Sequence, residues 1–272
     1  MNLKQAYSYA VHFLEGNGVD EADFKALCLA CHLAGIKNSE YAAHMNDDII
    51  TSRLAKLLWR VKSGEPLQYV LGKWDFYESE FYVGEGVLIP RPETEELVDL
   101  TVKSAAKLTK PVIFDLCAGS GCIGLSIAKK LPESMVYCIE KSKVAFRYLE
   151  KNAAGMPNAV LLLEDINTVP DIPPADMIIS NPPYIRSSEI DSLQSEVQYE
   201  PKMALDGGTD GLDFYRIINE KWADKLKDNG LLFLEIGNEQ GESVRDILTN
   251  FNKIEIRKDI YGNDRMVKAV KR

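Results

Sequence analysis

Apolar side chains recur at helical spacing through the first 63 residues. One series runs over residues 22–33 and a second over residues 49–61, and both follow the 3.6-residue period of an amphipathic helix. Asp20 stands where it can cap the helix that carries the first series. Residues 1–63 are therefore predicted to form a small helical bundle. They carry no group of catalytic side chains, so their expected role is packing or substrate recognition.

The composition of the chain changes at Gly64-Glu65-Pro66, because aromatic and β-branched residues are frequent after this point. Residues 67–83 contain the side chains Tyr69, Val70, Trp74, Phe76, Tyr77, Phe81, Tyr82 and Val83. Gly72 and Glu78-Ser79 are candidates for turns. The pattern predicts a β-hairpin with one packed aromatic face, and residues 64–87 are assigned to a linker between two domains.

From residue 88 onward, strand-like runs alternate with helix-compatible stretches. Seven runs can be identified, at residues 112–116, 135–139, 160–163, 177–179, 231–236, 253–257 and 266–270. Such alternation is typical of a parallel sheet with helices on both faces. The last two runs, joined through Tyr261-Gly262-Asn263-Asp264, are predicted to pair antiparallel. Residues 88–272 are thus predicted to form an α/β domain with a Rossmann-like, seven-stranded sheet.

Composition narrows the class of protein. With 46% hydrophobic and 27% charged residues, the chain of 272 residues has the make-up of a globular protein. Its net charge of −9 and pI near 5.0 disfavour a phosphate backbone as the substrate. No apolar run approaches the ~20 residues that span a bilayer, and no signal peptide or Arg-rich presequence is visible. A cytoplasmic protein that does not bind membranes is expected.

The cysteines include one motif that could bind haem or zinc or could simply pack in a helix. Cys28, Cys31 and His32 spell C-x-x-C-H, the form of a haem attachment site and half of a zinc site. Haem attachment needs an exported protein, and zinc needs a second pair of ligands at a suitable spacing. Small thiols also pack well in an amphipathic helix. The five cysteines are therefore predicted to be reduced, and no metal is expected.

A glycine-rich loop begins where the first predicted strand ends. It reads Asp115-Leu116-Cys117-Ala118-Gly119-Ser120-Gly121-Cys122-Ile123-Gly124, and glycines there let the backbone approach a ligand. Glu140 closes the second strand, 21 residues after Gly119, where a carboxylate can accept both hydroxyl protons of a ribose. Asp165, after the third strand, can face an adenine amino group or cap a helix. The loop also fits the dinucleotide fingerprint, so a nucleoside ligand is predicted without being identified.

Asn181-Pro182-Pro183-Tyr184 follows the fourth predicted strand and shares the carboxyl edge with the glycine loop. A planar NH₂ group is a weak nucleophile, and two acceptors on its hydrogens would orient its lone pair towards an electrophilic methyl group. The Asn181 side-chain oxygen and the Pro182 carbonyl can be those acceptors, because Pro183 has no N–H and holds its predecessor extended. Tyr184 can stack on the amide plane. A plain Pro-Pro turn is the alternative interpretation.

These motifs together resemble class I methyltransferases that act on planar nitrogens, a group that includes DNA adenine, RNA guanine and protein glutamine enzymes. Further segments resemble the HemK/PrmC family of release factor glutamine methyltransferases. They are residues 87–95, Glu200-Pro201, Ala204-Leu205, Gly207-Gly208, Asp210-Gly211-Leu212, Tyr215-Arg216, Glu235-Ile236-Gly237, Gln240 and Gly262-Asn263-Asp264-Arg265. The resemblance runs from the hairpin to the C-terminus and includes a helical N-terminal domain of the right size.

The resemblance implies a residue-by-residue assignment. It implies that S-adenosylmethionine is the cofactor, that S-adenosylhomocysteine is the product, and that class 1 peptide chain release factors are methylated on the glutamine of a Gly-Gly-Gln loop, which modulates translation termination. The implied cofactor-binding residues are Cys117, Ala118, Gly119, Ser120, Gly121, Glu140, Asp165, Ile166 and Asn181. The implied catalytic residues are Asn181, Pro182 and Tyr184, and the implied substrate-binding residues are Asn181, Pro182, Pro183, Tyr184, Arg91 and Glu93.

Two departures from the family pattern stand in the cofactor segments. Family members usually have Gly-Thr-Gly where this chain has Cys117-Ala118-Gly119, and an aromatic residue where it has Ile166. Both replacements are small or apolar, so activity is still expected. Arg91 and Glu93 have a second interpretation as an ordinary surface ion pair.

Three alternatives remain at this stage. The nearest is a nucleic-acid amino methyltransferase, which would carry the same two motifs. A nicotinamide-dependent dehydrogenase would share the glycine loop, but Asn181-Pro182-Pro183-Tyr184 argues against it and no hydride-transfer constellation is visible. A catalytically silent adaptor could retain the fold alone.

Overall fold

The computed structural model describes residues 1–259 and 261–272. The chain divides into two compact units. The first consists of Met1–Lys73 with Gln194–Tyr199, and the second of Trp74–Leu193 with Glu200–Arg272. In the described residues, no helix combines the length and apolar character that a bilayer crossing demands.

The first unit is helical. Its α-helices are α1 (Leu3–Gly16), α2 (Ala22–Ala34), α3 (Tyr41–His44), α4 (Leu54–Lys62), α5 (Leu67–Leu71) and α9 (Ser195–Gln198). A capping box between Asn2 and Gln5 starts α1. The expectation for Asp20 is wrong, because Glu21 is the N-cap of α2 and no side chain caps that helix. Cys28 and Cys31 are free, buried thiols of α2, as packing requires.

One turn of helix replaces the start of the predicted hairpin. Residues 67–71 form α5, which follows Pro66 and ends at Gly72 in the left-handed conformation. Leu67 and Val70, three residues apart, are both buried, and only a helix directs that spacing to one side. The hairpin itself is shorter than predicted, with strands β1 (Lys73–Phe76) and β2 (Ser79–Tyr82).

A seven-stranded sheet forms the centre of the second unit. Its strands are β3 (Val112–Leu116), β4 (Met135–Glu140), β5 (Ala159–Leu163), β6 (Ala175–Ser180), β7 (Leu226–Glu235), β8 (Phe251–Lys258) and β9 (Asp264–Lys271). They lie in the order β5-β4-β3-β6-β7-β9-β8. Strands β3 to β7 are mutually parallel, whereas β9 is antiparallel to β7 and to β8. The predicted fold, strand count and terminal antiparallel pair are confirmed.

Helices cover both faces of the sheet because its strands alternate apolar side chains between them. On one face, Ile113 and Phe233 pack with buried residues of α6 (Glu95–Ala105), α7 (Cys122–Lys130) and α8 (Lys143–Asn152). On the other, Phe114 and Leu232 pack with α10 (Asp213–Ile217), a π-helical turn (Ile218–Trp222) and α11 (Gly241–Ile247).

The order of the strands places a switch point between β3 and β6. The chain leaves β3 for β4 and β5 on one side, then returns to β6 on the other side of β3. Because the connections diverge there, a crevice opens at the carboxyl ends of these two strands. The glycine loop follows β3 and Asn181 follows β6, so the two motifs meet at this crevice.

Candidate active site

A pocket occupies this crevice and collects most of the predicted site residues. Ten of them line it: Arg91, Cys117, Ala118, Gly119, Ser120, Glu140, Asp165, Ile166, Asn181 and Pro183. Four others, Glu93, Gly121, Pro182 and Tyr184, are not part of the lining. The pocket also contains residues that the sequence did not single out as site residues, among them Thr94, Lys141, Met203 and Phe214. All of these residues belong to the second compact unit.

Glu140 ties the glycine loop to the end of β4. Its Oε2 accepts a hydrogen bond from the Gly119 N–H at 2.8 Å, and its Oε1 accepts one from the Ser142 N–H at 2.6 Å. Burial raises the pKa of Glu140, while these backbone donors oppose the shift by stabilising the carboxylate. The carboxylate is therefore held at the pocket wall, and each oxygen keeps a lone pair for a further donor.

Cys117 has a backbone conformation that favours glycine. Its φ angle is +60°, in the left-handed region that costs a residue with a side chain about 1–2 kcal/mol. The family that the sequence resembles usually has glycine at this position. The positive φ angle explains that preference, because glycine adopts it without this cost. Burial raises the pKa of the Cys117 thiol, so the thiol stays protonated and uncharged beside the pocket.

Asp165 and Ile166 form the far wall of the pocket, beyond β5. Asp165 forms an ion pair with Lys141 at 2.7 Å and accepts a hydrogen bond from the Asn167 N–H at 2.9 Å. Burial acts to raise the pKa of Asp165, but Lys141 and Asn167 outweigh it and hold the pKa below its usual value. The Ile166 carbonyl accepts a hydrogen bond from the buried Trp222 indole at 2.7 Å. This wall is thus charged at one residue and apolar at the next.

The segment that follows β6 is held closely by a glycine-rich loop. Ile185 exchanges hydrogen bonds with both sides of that loop, donating to the Leu205 carbonyl at 2.9 Å and accepting from the Gly207 N–H at 2.8 Å. A Cβ atom on Gly207 would lie 2.7 Å from the Tyr184 Cα and 2.8 Å from the Pro183 oxygen. No side chain fits in that space, so Gly207 lets the loop set the backbone path of Pro183 and Tyr184.

A buried polar cluster lies behind Asn181. The Asn181 Nδ2 donates to Thr94 Oγ1 at 3.3 Å, and Thr94 Oγ1 donates to Glu235 Oε2 at 2.6 Å. The Tyr184 hydroxyl donates to the other oxygen of Glu235 at 3.3 Å. Burial raises the pKa of Glu235, and the Thr94 hydrogen bond and the positive charge of Arg265 oppose that shift. The Glu235 carboxylate therefore holds Tyr184 directly and Asn181 through Thr94.

Arg91 pairs with Glu200, so the interpretation as a surface ion pair with Glu93 is wrong. The Glu200 side chain is 2% exposed, and its second oxygen accepts a hydrogen bond from the Ile89 N–H at 2.9 Å. The buried carboxylate therefore anchors both the Arg91 side chain and the backbone before it. Only the resembling segment Glu200-Pro201 hinted at this partner, because 109 residues separate the pair.

Two family models match the chain. The model of the PrmC N-terminal domain matches residues 5–72, and that of the methyltransferase small domain matches residues 97–208. Two solved structures are similar to this chain over about two thirds to three quarters of its length. One is the hMettl16 catalytic domain in complex with MAT2A 3'UTR hairpin 6, with a TM-score of 0.54 and 14% identity, covering 68% of this chain and 72% of that one. The other is the Thermus thermophilus 16S rRNA N2 G1207 methyltransferase in complex with AdoMet and guanosine, with a TM-score of 0.50 and 18% identity, covering 74% of this chain and 50% of that one. At these identities the likeness shows the fold.

Three curated relatives from different bacteria carry the same name. A release factor glutamine methyltransferase from Thermodesulfovibrio yellowstonii is 41% identical over 250 residues, which cover 88% of this chain and 89% of the relative. One from Clostridium acetobutylicum is 39% identical and covers 87% and 85% of the two chains. One from Moorella thermoacetica is 33% identical and covers 100% and 99%. The family resemblance of the sequence is thereby confirmed, and the chain belongs to the release factor glutamine methyltransferases.

Proposed function

We propose that this chain transfers a methyl group from S-adenosylmethionine to the side-chain amide nitrogen of the glutamine in the Gly-Gly-Gln loop of class 1 peptide chain release factors. One observation carries the proposal. Asn181 and Pro183 line the same pocket as Glu140 and the glycine loop, which brings a motif suited to a planar amide next to one suited to a nucleoside. The name shared by the relatives selects glutamine among planar nitrogens.

The donor set of the pocket fits S-adenosylmethionine. Glu140 presents an immobilised carboxylate to which the two ribose hydroxyls can donate. Asp165 can accept a hydrogen bond from an adenine amino group, and buried Ile166 offers an apolar surface to the ring. Cys117 to Ser120 supply backbone along the pocket wall. When bound, this cofactor supplies a methyl group attached to a positively charged sulfur.

The chain's own residues orient the nucleophile. Asn181 turns its Nδ2 to Thr94, which leaves its Oδ1 to accept one hydrogen of the substrate amide. The other hydrogen is assigned to the Pro182 carbonyl, which accepts no backbone N–H in residues 1–259 and 261–272. With both hydrogens held, the amide plane is fixed and the nitrogen lone pair lies along the normal to that plane; such orientation supplies much of the rate. The Tyr184 ring packs against the amide plane, and its hydroxyl stays on Glu235.

Substrate docking is proposed for the helical unit. Trp59 is 58% exposed and Tyr9 is 50% exposed, and the Trp59 ring contacts Phe13 edge-on with 6.0 Å between centroids. Tyrosine and tryptophan are enriched at protein-binding surfaces. The net charge of −9 disfavours a nucleic acid in the same role. A release factor substrate also implies that the enzyme works in the cytoplasm.

Mass spectrometry of a purified release factor, incubated with the enzyme and S-adenosylmethionine, tests the proposal. The expected result is a gain of one methyl group, confined to the peptide that contains the Gly-Gly-Gln loop. A release factor with the loop glutamine replaced by asparagine is the matched control and should gain nothing. Cofactor binding without methylation of any release factor would contradict the proposal and favour a nucleic-acid amino group as the substrate.

A further inference from the structure

The buried carboxylate of Glu235 stands at the end of β7, directly behind the residues proposed to hold the substrate amide. Its side chain is almost fully buried, and both of its oxygens accept hydrogen bonds from hydroxyl groups: Oε2 from Thr94 at 2.6 Å and Oε1 from Tyr184 at 3.3 Å. Thr94 is itself buried, at the end of the short 3₁₀ turn Pro92–Thr94. Neither Thr94 nor Glu235 needs to touch the substrate in order to affect it.

The number of protons in this cluster fixes which group donates in each hydrogen bond. In its ionised form Glu235 only accepts hydrogen bonds, and a threonine hydroxyl has a single proton to donate. Because Thr94 gives that proton to Glu235, its Oγ1 can only accept from a third group. The third group is the Asn181 amide, which must therefore present its NH₂ end to Thr94. The opposite end of the amide, Oδ1, is directed away from Thr94.

We infer that Thr94 and Glu235 are positioning residues that select the orientation of the Asn181 side-chain amide and keep Oδ1 available to the substrate NH₂ group. The inference rests on the proposed function of Asn181. If the Asn181 amide turned by half a rotation, its oxygen would face the Thr94 oxygen, so that two acceptors met. Its NH₂ group would then face the substrate NH₂ group, and the substrate nitrogen would lose one of its two acceptors. Thr94 acts through Asn181, so its loss should affect turnover rather than cofactor binding.

A pair of substitutions at Thr94 separates the hydroxyl from the packing. Thr94→Val keeps the shape of the side chain and removes the hydroxyl, whereas Thr94→Ser keeps the hydroxyl. Thr101→Val is the matched control, because Thr101 is also fully buried on α6 and donates its hydroxyl to the Leu97 carbonyl at 2.9 Å. For each variant, kcat and KM are measured with a release factor, the Kd with S-adenosylhomocysteine, and the melting temperature by calorimetry.

The expected result is a kcat lowered roughly 10- to 100-fold in Thr94→Val, with the Kd for S-adenosylhomocysteine and the KM for the release factor unchanged. Thr94→Ser should retain most of the turnover that Thr94→Val loses, and Thr101→Val should lower only the melting temperature. Wild-type kcat in Thr94→Val, or equal losses of turnover and cofactor binding, would overturn the inference. If Thr94→Val does not fold, Thr94→Ala lacks the same hydroxyl and replaces it in the test. A wild-type enzyme that methylates no release factor would instead refute the proposed function.

Discussion

Asp115 gives the chain a pH dependence whose sign and size follow from one buried group. Its carboxyl group lies on β3 and is fully buried, and its Oδ2 accepts a hydrogen bond from the Gly124 N–H at 2.8 Å. Among the residues that the structure describes, nothing hydrogen-bonds to Oδ1. Burial raises the pKa of Asp115 to about 7; the Gly124 hydrogen bond opposes this shift, and the negative charge of Glu140 adds to it.

The folded chain therefore binds a proton at Asp115 more tightly than the unfolded chain, in which the pKa is about 3.9. Stability from the protonated carboxyl is complete below about pH 4 and is lost progressively as the pH rises to about 7. Each unit of pKa shift corresponds to about 1.4 kcal/mol, so a shift of roughly three units corresponds to about 4 kcal/mol. Asp115→Asn stays neutral at every pH and keeps an acceptor for Gly124. Relative to this variant, the wild type should lose about 4 kcal/mol of unfolding free energy between about pH 4 and about pH 7.5.

The assay is urea denaturation of both proteins at a series of pH values. The fluorescence of Trp222, which is buried in the same compact unit as Asp115, reports on the unfolding of that unit. Trp59 and Trp74 are replaced by Phe in both proteins, so that only Trp222 contributes to the signal. Asp99→Asn is the control of opposite sign, because the Tyr77 and Lys103 hydrogen bonds hold the pKa of Asp99 below its usual value. A difference between the wild type and Asp115→Asn that does not change with pH would refute the assignment of an uncharged Asp115 to the folded state.

Four further predictions test the site. Asn181→Ala should lower kcat far more than it weakens S-adenosylhomocysteine binding, as measured by steady-state kinetics and calorimetry; equal losses would contradict a role in orienting the amide. Glu140→Gln should weaken that binding roughly tenfold, because the NH₂ group of the new glutamine would face a backbone N–H that donates to a carboxylate oxygen in the wild type; an unchanged Kd would remove Glu140 from the cofactor site. Gly207→Ala should lower kcat roughly 10- to 100-fold, because its Cβ would displace the Tyr184 backbone, whereas Gly16→Ala, with open space around it, should not. Trp59→Ala should raise the KM for a whole release factor but not for a short Gly-Gly-Gln peptide, and a parallel rise in both would place docking elsewhere.

Local pattern was enough to predict the elements that depend on neighbours in the sequence. The strand runs of the sheet, the glycine loop after β3 and the motif after β6 all follow from short-range periodicity and turn chemistry. The resemblance supplied the rest of the candidate residues, and ten of the fourteen line one pocket. Local pattern failed at residues 67–71, where burial of Leu67 and Val70 on one side outweighed the strand propensity of the segment.

The sequence by itself thus identified the groups to which we assign the chemistry: an amide and two prolines for a planar nitrogen, and a carboxylate for a ribose. Only the tertiary structure decided how those groups are held. Thr94 meets Glu235 across 141 residues, and Arg91 meets Glu200 across 109. The physical reason is that a buried charge must find partners wherever the fold provides them, and sequence spacing does not encode which distant residue the folded sheet will bring alongside.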